Sequence, residues 1–141
     1  MKTTTKSEKQ TINLGKNFVL GLKGGEVIGF IGELGTGKTI FIKGLAQGLG
    51  IKKIITSPTF VLMKVYKAKG PIKYLCHVDA YRLKSARDLI DIGIKDYLNK
   101  KDAVTVIEWA DQVKNILPKD KILVKIRFGK KENQRIFEII K

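Results

Sequence analysis

The sequence predicts an α/β domain of three layers, in which a mixed, mostly parallel central sheet lies between helices and a β-hairpin closes the C-terminal part. Three observations support this fold class. An apolar run at residues 27–31 is followed by a glycine-rich segment and then by apolar residues at helical spacing, which indicates strand, loop and helix in that order. Further apolar runs alternate with helical patterns along the chain. Two runs near the C-terminus flank a polar turn, which is typical of a hairpin.

The individual elements follow from local patterns. Residues 8–22 place apolar side chains on one helical face and precede two glycines, which favours a first helix that ends there. The short turn between residues 66 and 72 is too brief for a crossover, so the strands on either side should form an antiparallel hairpin. Strands are predicted at residues 27–31, 53–56, 60–66, 72–78, 103–107, 122–128 and 135–140, and the other helices at 40–49, 85–90, 94–98 and 111–117.

The length and composition indicate a single domain in a reducing compartment. A chain of 141 residues can bury a substantial core without disulfides, and we treat residues 1–141 as a single domain. Cys76 is the only cysteine, which excludes an intramolecular disulfide and any CxxC metal motif. The N-terminus lacks the apolar segment of a signal peptide, and no apolar stretch has the length of a membrane span. We therefore expect a cytoplasmic protein with no membrane partner.

The net charge of +15 raises the question of nucleic-acid binding. A clustered basic surface attracts phosphate backbones, but only four of the 28 basic residues are arginines, the type that suits bidentate phosphate and base recognition. This composition favours a hydrated lysine-rich surface over a dedicated groove. The best candidate patch near the C-terminus consists of Lys119, Lys121, Lys125, Arg127, Lys130 and Lys131.

The glycine-rich segment from Gly32 to Thr39 matches the phosphate-binding pattern GxxxxGK[ST] without a mismatch. Glycines allow backbone N–H groups to converge on phosphate oxygens, the lysine Lys38 reaches the β- and γ-phosphates, and the Thr39 hydroxyl is a ligand for Mg²⁺. The sequence therefore predicts a nucleoside triphosphate site, and residues 1–141 are interpreted as a single P-loop NTPase domain. The predicted nucleotide-binding residues are Glu33, Leu34, Gly35, Thr36, Gly37, Lys38, Thr39 and Ile40, together with Thr11 of the first helix.

Two carboxylates are candidates to complete this site. Asp79 follows the strand at 72–78 and Glu108 follows the strand at 103–107, so both lie at carboxyl ends of strands, where open α/β sheets bind ligands. Mg²⁺ prefers oxygen ligands and takes one or two carboxylates in addition to phosphates and water. We expect each of Glu108 and Asp79 to bind either the metal or a water molecule. The alternative is that either acid only caps a turn.

Three further features leave alternatives open. The polar segment from Thr56 to Phe60, with Ser57 and Thr59, is either a switch that senses the γ-phosphate or a turn that opens a strand. His77 alternates with apolar neighbours and is interpreted as a packed strand residue, because no cysteine or histidine partner supports a zinc site. Trp109 either packs over the site or anchors the core.

The segment from Asn99 to Asp102 also matches NKxD, a guanine-recognition motif. That motif should follow a buried strand, whereas this segment precedes one. In a lysine-rich chain such a match carries little information, and we interpret the segment as a hydrated turn. The sequence therefore gives no support for guanine specificity.

Taken together, the motifs resemble those of a known family, the bacterial TsaE (YjeE) proteins. The match extends over nearly the whole chain, in the family's order and spacing. It departs from the family pattern at Thr36, where alanine is usual, and at Lys43, where arginine is common. The matching segments are Gly32 to Thr39, Thr56-Ser57-Pro58-Thr59-Phe60, His77-Val78-Asp79-Ala80-Tyr81-Arg82-Leu83, Ile92-Gly93-Ile94-Lys95-Asp96-Tyr97 and Ile107-Glu108-Trp109.

The resemblance implies Mg²⁺-dependent ATP binding and slow, partner-stimulated ATP hydrolysis in support of tRNA threonylcarbamoyladenosine synthesis. The implied partners are the TsaD and TsaB proteins, which transfer the threonylcarbamoyl group, so that tRNA is contacted indirectly through the complex. Carried over to this chain, the resemblance makes Lys38, Asp79 and Glu108 catalytic, Thr39 and Glu108 metal ligands, and Ser57, Thr59 and Trp109 switch candidates. The alternatives are a nucleotide-gated RNA-binding module and, with less support, a small phosphotransferase.

Overall fold

The computed structural model describes residues 1–33, 35–53, 55–56, 62–83, 85, 87–98 and 100–141. Its strands are β1 (Lys2–Thr5), β2 (Val27–Ile31), β3 (Met63–Lys67), β4 (Tyr74–Asp79), β5 (Ala103–Glu108), β6 (Ile122–Phe128) and β7 (Arg135–Ile140). Its α-helices are α1 (Glu8–Phe18), α2 (Lys38–Gly48), α3 (Arg87–Asp91) and α4 (Lys95–Leu98). Short 3₁₀ segments occupy Val19–Gly21 and Ala110–Ile116. No helix among the described residues is long and apolar enough to cross a membrane.

The strands of the described residues form one mixed sheet in the order β1-β7-β6-β2-β5-β4-β3. Strand β2 is parallel to both neighbours, β5 and β6, and β4 is parallel to β5. The pairs β3–β4 and β6–β7 are antiparallel, which confirms both predicted hairpins. The predicted fold class is therefore confirmed.

The structure corrects several element predictions. The first α-helix ends at Phe18 and continues as a 3₁₀ turn, and the helix expected at 111–117 is a 3₁₀ segment in which Val113 has non-helical dihedral angles. Lys53, Ile55 and Thr56 belong to no strand, while residue 54 lies outside the described residues. Strand β1 was not predicted, because its Lys-Thr-Thr-Thr sequence has no apolar alternation and its pairing with β7 is a contact between the two ends of the sequence.

Helices cover both faces of the sheet. On one face α2 packs on β2 and β7, and the ring centroid of Phe41 lies 5.4 Å from that of Phe30 and 5.6 Å from that of Phe137. On the other face, apolar side chains of β4 and β5 pack against residues of the short helical segments. That second cluster contains Val27, Cys76, Val78, Ala80, Leu83, Leu89, Ile94, Ile107, Ala110 and Val113.

Helix α1 lies on α2 at close range because glycines remove side chains from the contact. A Cβ atom placed on Gly44 would lie 2.0 Å from the carbonyl oxygen of Ile12, and one on Gly15 would lie 2.2 Å from that of Phe41. The two helix backbones therefore touch directly. This packing fixes the axis of α2, and with it the position of the loop that precedes α2.

Strand register places the two predicted carboxylates side by side. Asp79 and Glu108 are directly opposite each other at the carboxyl ends of β4 and β5. Glu108 is also paired with Phe30, near the end of β2 and two residues before the glycine-rich loop. The sheet thus brings both carboxylates to the edge from which that loop emerges.

Candidate nucleotide-binding site

The loop between β2 and α2 has the backbone of an anion-binding turn. Gly35 and Gly37 have φ angles of 78° and 102°, in the left-handed region that favours glycine. The loop is closed by Thr36, whose Oγ1 donates a hydrogen bond of 2.7 Å to the carbonyl oxygen of Glu33. Gly37 precedes α2 and provides no capping side chain, so the first N–H groups of this helix receive no cap from that residue. Such helix N-termini bind phosphate oxygens.

Lys38, the first residue of α2, is buried. Its Nζ donates hydrogen bonds to the carbonyl oxygens of Gly32 and Glu33, the latter at 2.9 Å, and lies 3.9 Å from the ring centroid of Trp109. Burial lowers the pKa of this ammonium group, and the nearby carboxylates of Glu108 and then Asp79 oppose that shift. The lysine is therefore held inside the loop by carbonyl groups and an aromatic face.

Three side chains form a hydrogen-bonded line from α2 into the sheet. Thr39 Oγ1 donates to Glu108 Oε1 at 3.1 Å, and His77 Nε2 lies 2.7 Å from Glu108 Oε2. His77 and Glu108 are both buried. An ionised carboxylate only accepts hydrogen bonds, so Nε2 carries the proton in this contact. Thr39 and His77 thus fix both oxygens of Glu108 at the end of β5.

The role of His77 was missed in the sequence interpretation, which treated this residue as ordinary strand packing. The available signal was its spacing from Asp79: residues two apart on a strand share a face, and that face carries Glu108 on the neighbouring strand. Among the described residues, His77 Nδ1 has no hydrogen-bond partner. His77 is therefore a packed strand residue that also forms a hydrogen bond with the Glu108 carboxylate.

Asp79 lies at the end of β4 beside Glu108. Its Oδ1 accepts a hydrogen bond of 2.9 Å from the backbone N–H of Tyr81, and the next N–H, that of Ala80, donates to the carbonyl oxygen of Glu108 at 3.0 Å. Partial burial raises the pKa of the Asp79 carboxyl; the Tyr81 N–H lowers it, and the neighbouring Glu108 raises it. Asp79 therefore caps a turn, which was the alternative interpretation of this acid, and the turn lies at the site itself.

Trp109 packs over the site. Its φ of 60° and ψ of 43° place it in the left-handed region, which is uncommon for a bulky residue and costs free energy. Lys38 lies on its ring, and the ring of Tyr81 is 4.8 Å away between centroids. Trp109 is also in contact with the second apolar cluster. Trp109 therefore packs over the site and also anchors the core, which were the two alternatives left open by the sequence.

These elements surround a cavity of about 520 Å³. Its volume falls within the usual range for small-molecule sites. Glu8, Leu62 and Tyr81 line it although the sequence did not single them out as site residues, and Arg82, a candidate from the sequence to act on the transferred phosphate, lines it too. The predicted residues in its lining are Gly35, Thr36, Gly37, Lys38, Thr39, Ile40, Asp79, Glu108 and Trp109.

The remaining predicted site residues lie elsewhere or are not described. The carbonyl oxygen of Glu33 contacts Lys38, but the residue does not line the main cavity. Thr11 lines an adjoining cavity of about 100 Å³, and its hydroxyl oxygen lies 2.8 Å from that of Thr5. Leu34, Ser57 and Thr59 lie outside the described residues.

The described part of the segment that matches NKxD, residues 100–102, lies at the opposite end of β5 from this cavity. Lys101 and Asp102 immediately precede β5, whereas Glu108 ends it. A strand of six residues separates its ends by about 17 Å. This position argues against a role for the segment in reading a base bound at the loop.

The donor set suits Mg²⁺ bound together with phosphates. The Thr39 hydroxyl and the Glu108 and Asp79 carboxylates are all oxygen donors, the type this ion prefers. The described residues contain no group of three or more histidine, cysteine or carboxylate side chains able to hold a metal by themselves. A cation here would therefore need oxygens from the nucleotide as well.

The strand, the glycine-rich loop and the helix that begins with Lys38 and Thr39 define an α/β protein with a P-loop NTPase-like fold. The family model described as threonylcarbamoyl adenosine biosynthesis protein TsaE matches residues 5–137. The chain belongs to the TsaE family, which confirms the resemblance noted in its sequence.

Individual relatives are similar over most of their length. A tRNA threonylcarbamoyladenosine biosynthesis protein TsaE from Treponema pallidum is 38% identical over 136 residues, which is 96% of this chain and 98% of the relative. The protein of the same name from Bacillus subtilis is 33% identical over 99% of this chain and 86% of its own. A crystal structure of Bacillus subtilis YdiB superposes with a TM-score of 0.79 at 30% identity, covering 97% of this chain and 82% of that one.

Proposed function

We propose that this protein is a Mg²⁺-dependent ATP-binding protein with slow ATPase activity that supports tRNA threonylcarbamoyladenosine formation. It does so in the cytoplasm through cycling association with TsaD and TsaB. The observation that carries the proposal is the convergence of Lys38, Thr39, Asp79 and Glu108 on one cavity beside the glycine-rich loop. Membership of the TsaE family supplies the context of tRNA modification.

Each residue has a distinct role in the proposed reaction. Lys38 and the N–H groups of the loop hold the β- and γ-phosphates, for which Lys38 exchanges its carbonyl partners for phosphate oxygens. Thr39 and Glu108 hold the metal, and His77 keeps the Glu108 carboxylate in place. When bound, Mg²⁺ neutralises negative charge that develops on the phosphate oxygens.

Hydrolysis in this site is an in-line displacement. Asp79 orients a water molecule, whose oxygen forms a bond to the γ-phosphorus while the bond to the bridging oxygen breaks, giving ADP and phosphate. The bonding electrons stay on the bridging oxygen of ADP, and the proton lost by the water passes to the released phosphate or to solvent. Positioning and charge stabilisation supply most of the rate enhancement. Arg82 lines the cavity and is the chain's own candidate to stabilise the transferred group, although a partner protein is the other possible source of such an arginine.

The proposal is tested by measuring phosphate release with ATP and with GTP, with and without TsaD and TsaB. We expect slow turnover of ATP by the isolated protein and clear stimulation by the partners. Lys38→Ala should abolish turnover, whereas Lys43→Ala, on the same helix but outside the cavity, should leave it unchanged. Unaltered hydrolysis by Lys38→Ala would refute the site, and absence of stimulation would refute the partner cycle.

A nucleotide-gated RNA-binding module remains the alternative function. Its distinguishing prediction is that ATP changes the affinity of the isolated protein for tRNA at physiological salt. Partner-dependent hydrolysis with no effect of ATP on RNA binding favours the ATPase role instead.

A further inference from the structure

One continuous third of the chain contains no acidic side chain. Between Glu33 and Asp79 there is neither an aspartate nor a glutamate, although the chain contains 13 of them. A second acid-free stretch extends from Lys9 to Gly25. The lysines of the longer stretch are Lys38, Lys43, Lys52, Lys53, Lys64, Lys67, Lys69 and Lys73.

The fold brings lysines of these two stretches together at the end of α2 that is remote from the loop. Lys16 of α1, Lys43 of α2 and the adjacent pair Lys52 and Lys53 line one cavity of about 540 Å³. Lys69 borders the same place, because a Cβ on Gly50, a lining residue, would lie 3.4 Å from its Cβ. We call these five residues the lysine surface.

Local structure explains how the lysine surface forms. Gly50 follows α2 with a φ of 78°, and the N–H of Ile51 donates to the carbonyl oxygen of Ala46 at 3.0 Å, so the chain reverses at the end of the helix. This reversal returns Lys52 and Lys53 to the side of α2. The N–H of Lys69 donates to the carbonyl oxygen of Leu49 at 3.2 Å, which holds the β3–β4 turn there.

The charges of the lysine surface are not neutralised within the protein. None of the five ammonium groups forms an ion pair with a described residue. Lys43 is partly exposed and the other four are exposed. The negative end of the α2 dipole accounts for one or two cations near the helix terminus, but not for Lys16 and Lys69 from other elements. A concave group of unpaired cations concentrates positive potential.

The C-terminal patch suggested by the sequence does not have this character. Lys119 and Lys121 precede β6, whereas Lys130 and Lys131 follow it, so a strand of seven residues separates the two pairs by about 20 Å. Lys125, between them, lies opposite Glu138 in the β6–β7 register. These lysines are neighbours in sequence but form no single surface.

We propose that the lysine surface binds the phosphate backbone of RNA, and that tRNA is the RNA concerned. The choice of tRNA rests on the proposed function. Lysines alone, without arginine, suit contacts to phosphates that carry no sequence information. Lys43 lies about 8 Å along α2 from Lys38, and the other lysines lie near or beyond the C-terminal end of this helix, which spans about 16 Å. No described residue lines both this cavity and the nucleotide cavity, so RNA and nucleotide occupy different places.

The test compares two variants with the same change in net charge. In the first, K16Q, K43Q, K52Q and K53Q neutralise four of the five lysines of the lysine surface. In the second, K119Q, K121Q, K130Q and K131Q neutralise four lysines of the C-terminal patch. Binding of fluorescently labelled bulk tRNA to the full chain is measured over a series of salt concentrations. Thermal unfolding and ATP binding show that both variants are folded.

We expect the first variant to lose about tenfold or more in affinity for tRNA, and the second to change little. In the first variant the slope of log affinity against log salt concentration should also decrease in magnitude by roughly three. Equal losses in both variants, or none in the first, would overturn the proposal. Displacement of tRNA by polyglutamate at a lower charge concentration than by unlabelled tRNA would also overturn it, in favour of an acidic protein partner. Lys38→Ala should retain tRNA binding, which separates this inference from the ATPase proposal.

Discussion

The Nε2 atom of His77 lies 2.7 Å from Oε2 of Glu108, and both side chains are buried between β4, β5 and α2. This contact orients the carboxylate that we propose as a metal ligand, since Thr39 holds its other oxygen. Outer contacts of this kind fix the direction in which a ligand presents its lone pairs. Removing the histidine should therefore change metal-dependent behaviour as well as stability.

His77→Leu should destabilise the fold by about 1.5–3 kcal/mol, the usual contribution of a hydrogen bond to a charged group. It should also raise the Mg²⁺ concentration needed for half-maximal ATP binding, measured by calorimetry. His77→Gln retains an N–H donor and should recover part of both effects. Cys76→Ala, on the opposite face of the same strand, should lower stability without changing the Mg²⁺ requirement. Equal Mg²⁺ requirements in all three variants would show that His77 only fills space.

Asp79→Asn should stabilise the protein at neutral pH while it slows ATP hydrolysis. The folded state raises the pKa of this carboxyl above its ordinary value of 3.8, chiefly by burial, so its charged form opposes folding. The stabilisation should be complete above the raised pKa and should vanish below about 3.8, where the carboxyl is protonated in both states. Unfolding measured across this pH range, with exposed Asp120→Asn as the control, tests the sign. A loss of stability at neutral pH would contradict it.

Trp109 should report nucleotide binding through its fluorescence. It is the only tryptophan in the chain, and the Lys38 ammonium lies 3.9 Å from its ring. If Lys38 turns towards phosphate groups, the indole loses this cation and its emission changes. Titration with ATP should therefore alter the spectrum of the wild-type protein and leave that of Lys38→Ala unchanged. An identical response in both proteins would mean that Lys38 does not leave the ring.

Gly44→Ala should lower the free energy of unfolding by about 1–3 kcal/mol or more, although alanine favours helix formation. The added Cβ would lie 2.0 Å from the carbonyl oxygen of Ile12, so α1 must move away from α2. Gly21→Ala is the matched control, since no atom lies within 4 Å of a Cβ at that position. Chemical denaturation of both variants provides the comparison. Similar stabilities would show that the two helices separate at little cost.

Local patterns predicted those parts of the fold that depend on neighbouring residues. The strand before the loop and both hairpins were correct, and so was the helix predicted at 40–49, which the structure places at Lys38–Gly48. Apolar periodicity and glycine position determine these elements. The strand Lys2–Thr5 was missed because it forms through pairing with the distant strand β7. The 3₁₀ segment Ala110–Ile116 was predicted as α-helix because spacing does not distinguish the two.

The predictions for the site divide in the same way, into those that follow from local sequence and those that depend on contacts between distant segments. The loop motif and the strand-end positions of Asp79 and Glu108 were readable, because both follow from residue type and order. The contact between His77 and Glu108 was readable only in part: spacing places His77 on the same strand face as Asp79, but its partner Glu108 is set by the alignment of two strands joined by more than 20 residues of intervening chain. The left-handed backbone of Trp109 had no sequence signal either, because that conformation is rare for tryptophan.

The edges of the sheet have a consequence for self-association. Strands β1 and β3 are the outermost strands of the described sheet, and unpaired edge strands readily recruit another chain. Lys2 lies on one edge strand, and Lys64 and Lys67 lie on the other beside the exposed Val65. Pairing of a second copy of the chain with either edge strand through the same strand would bring lysines of like charge together. Acetylation of these lysines should therefore promote edge-to-edge polymerisation of the native protein, visible as light scattering well below its unfolding temperature.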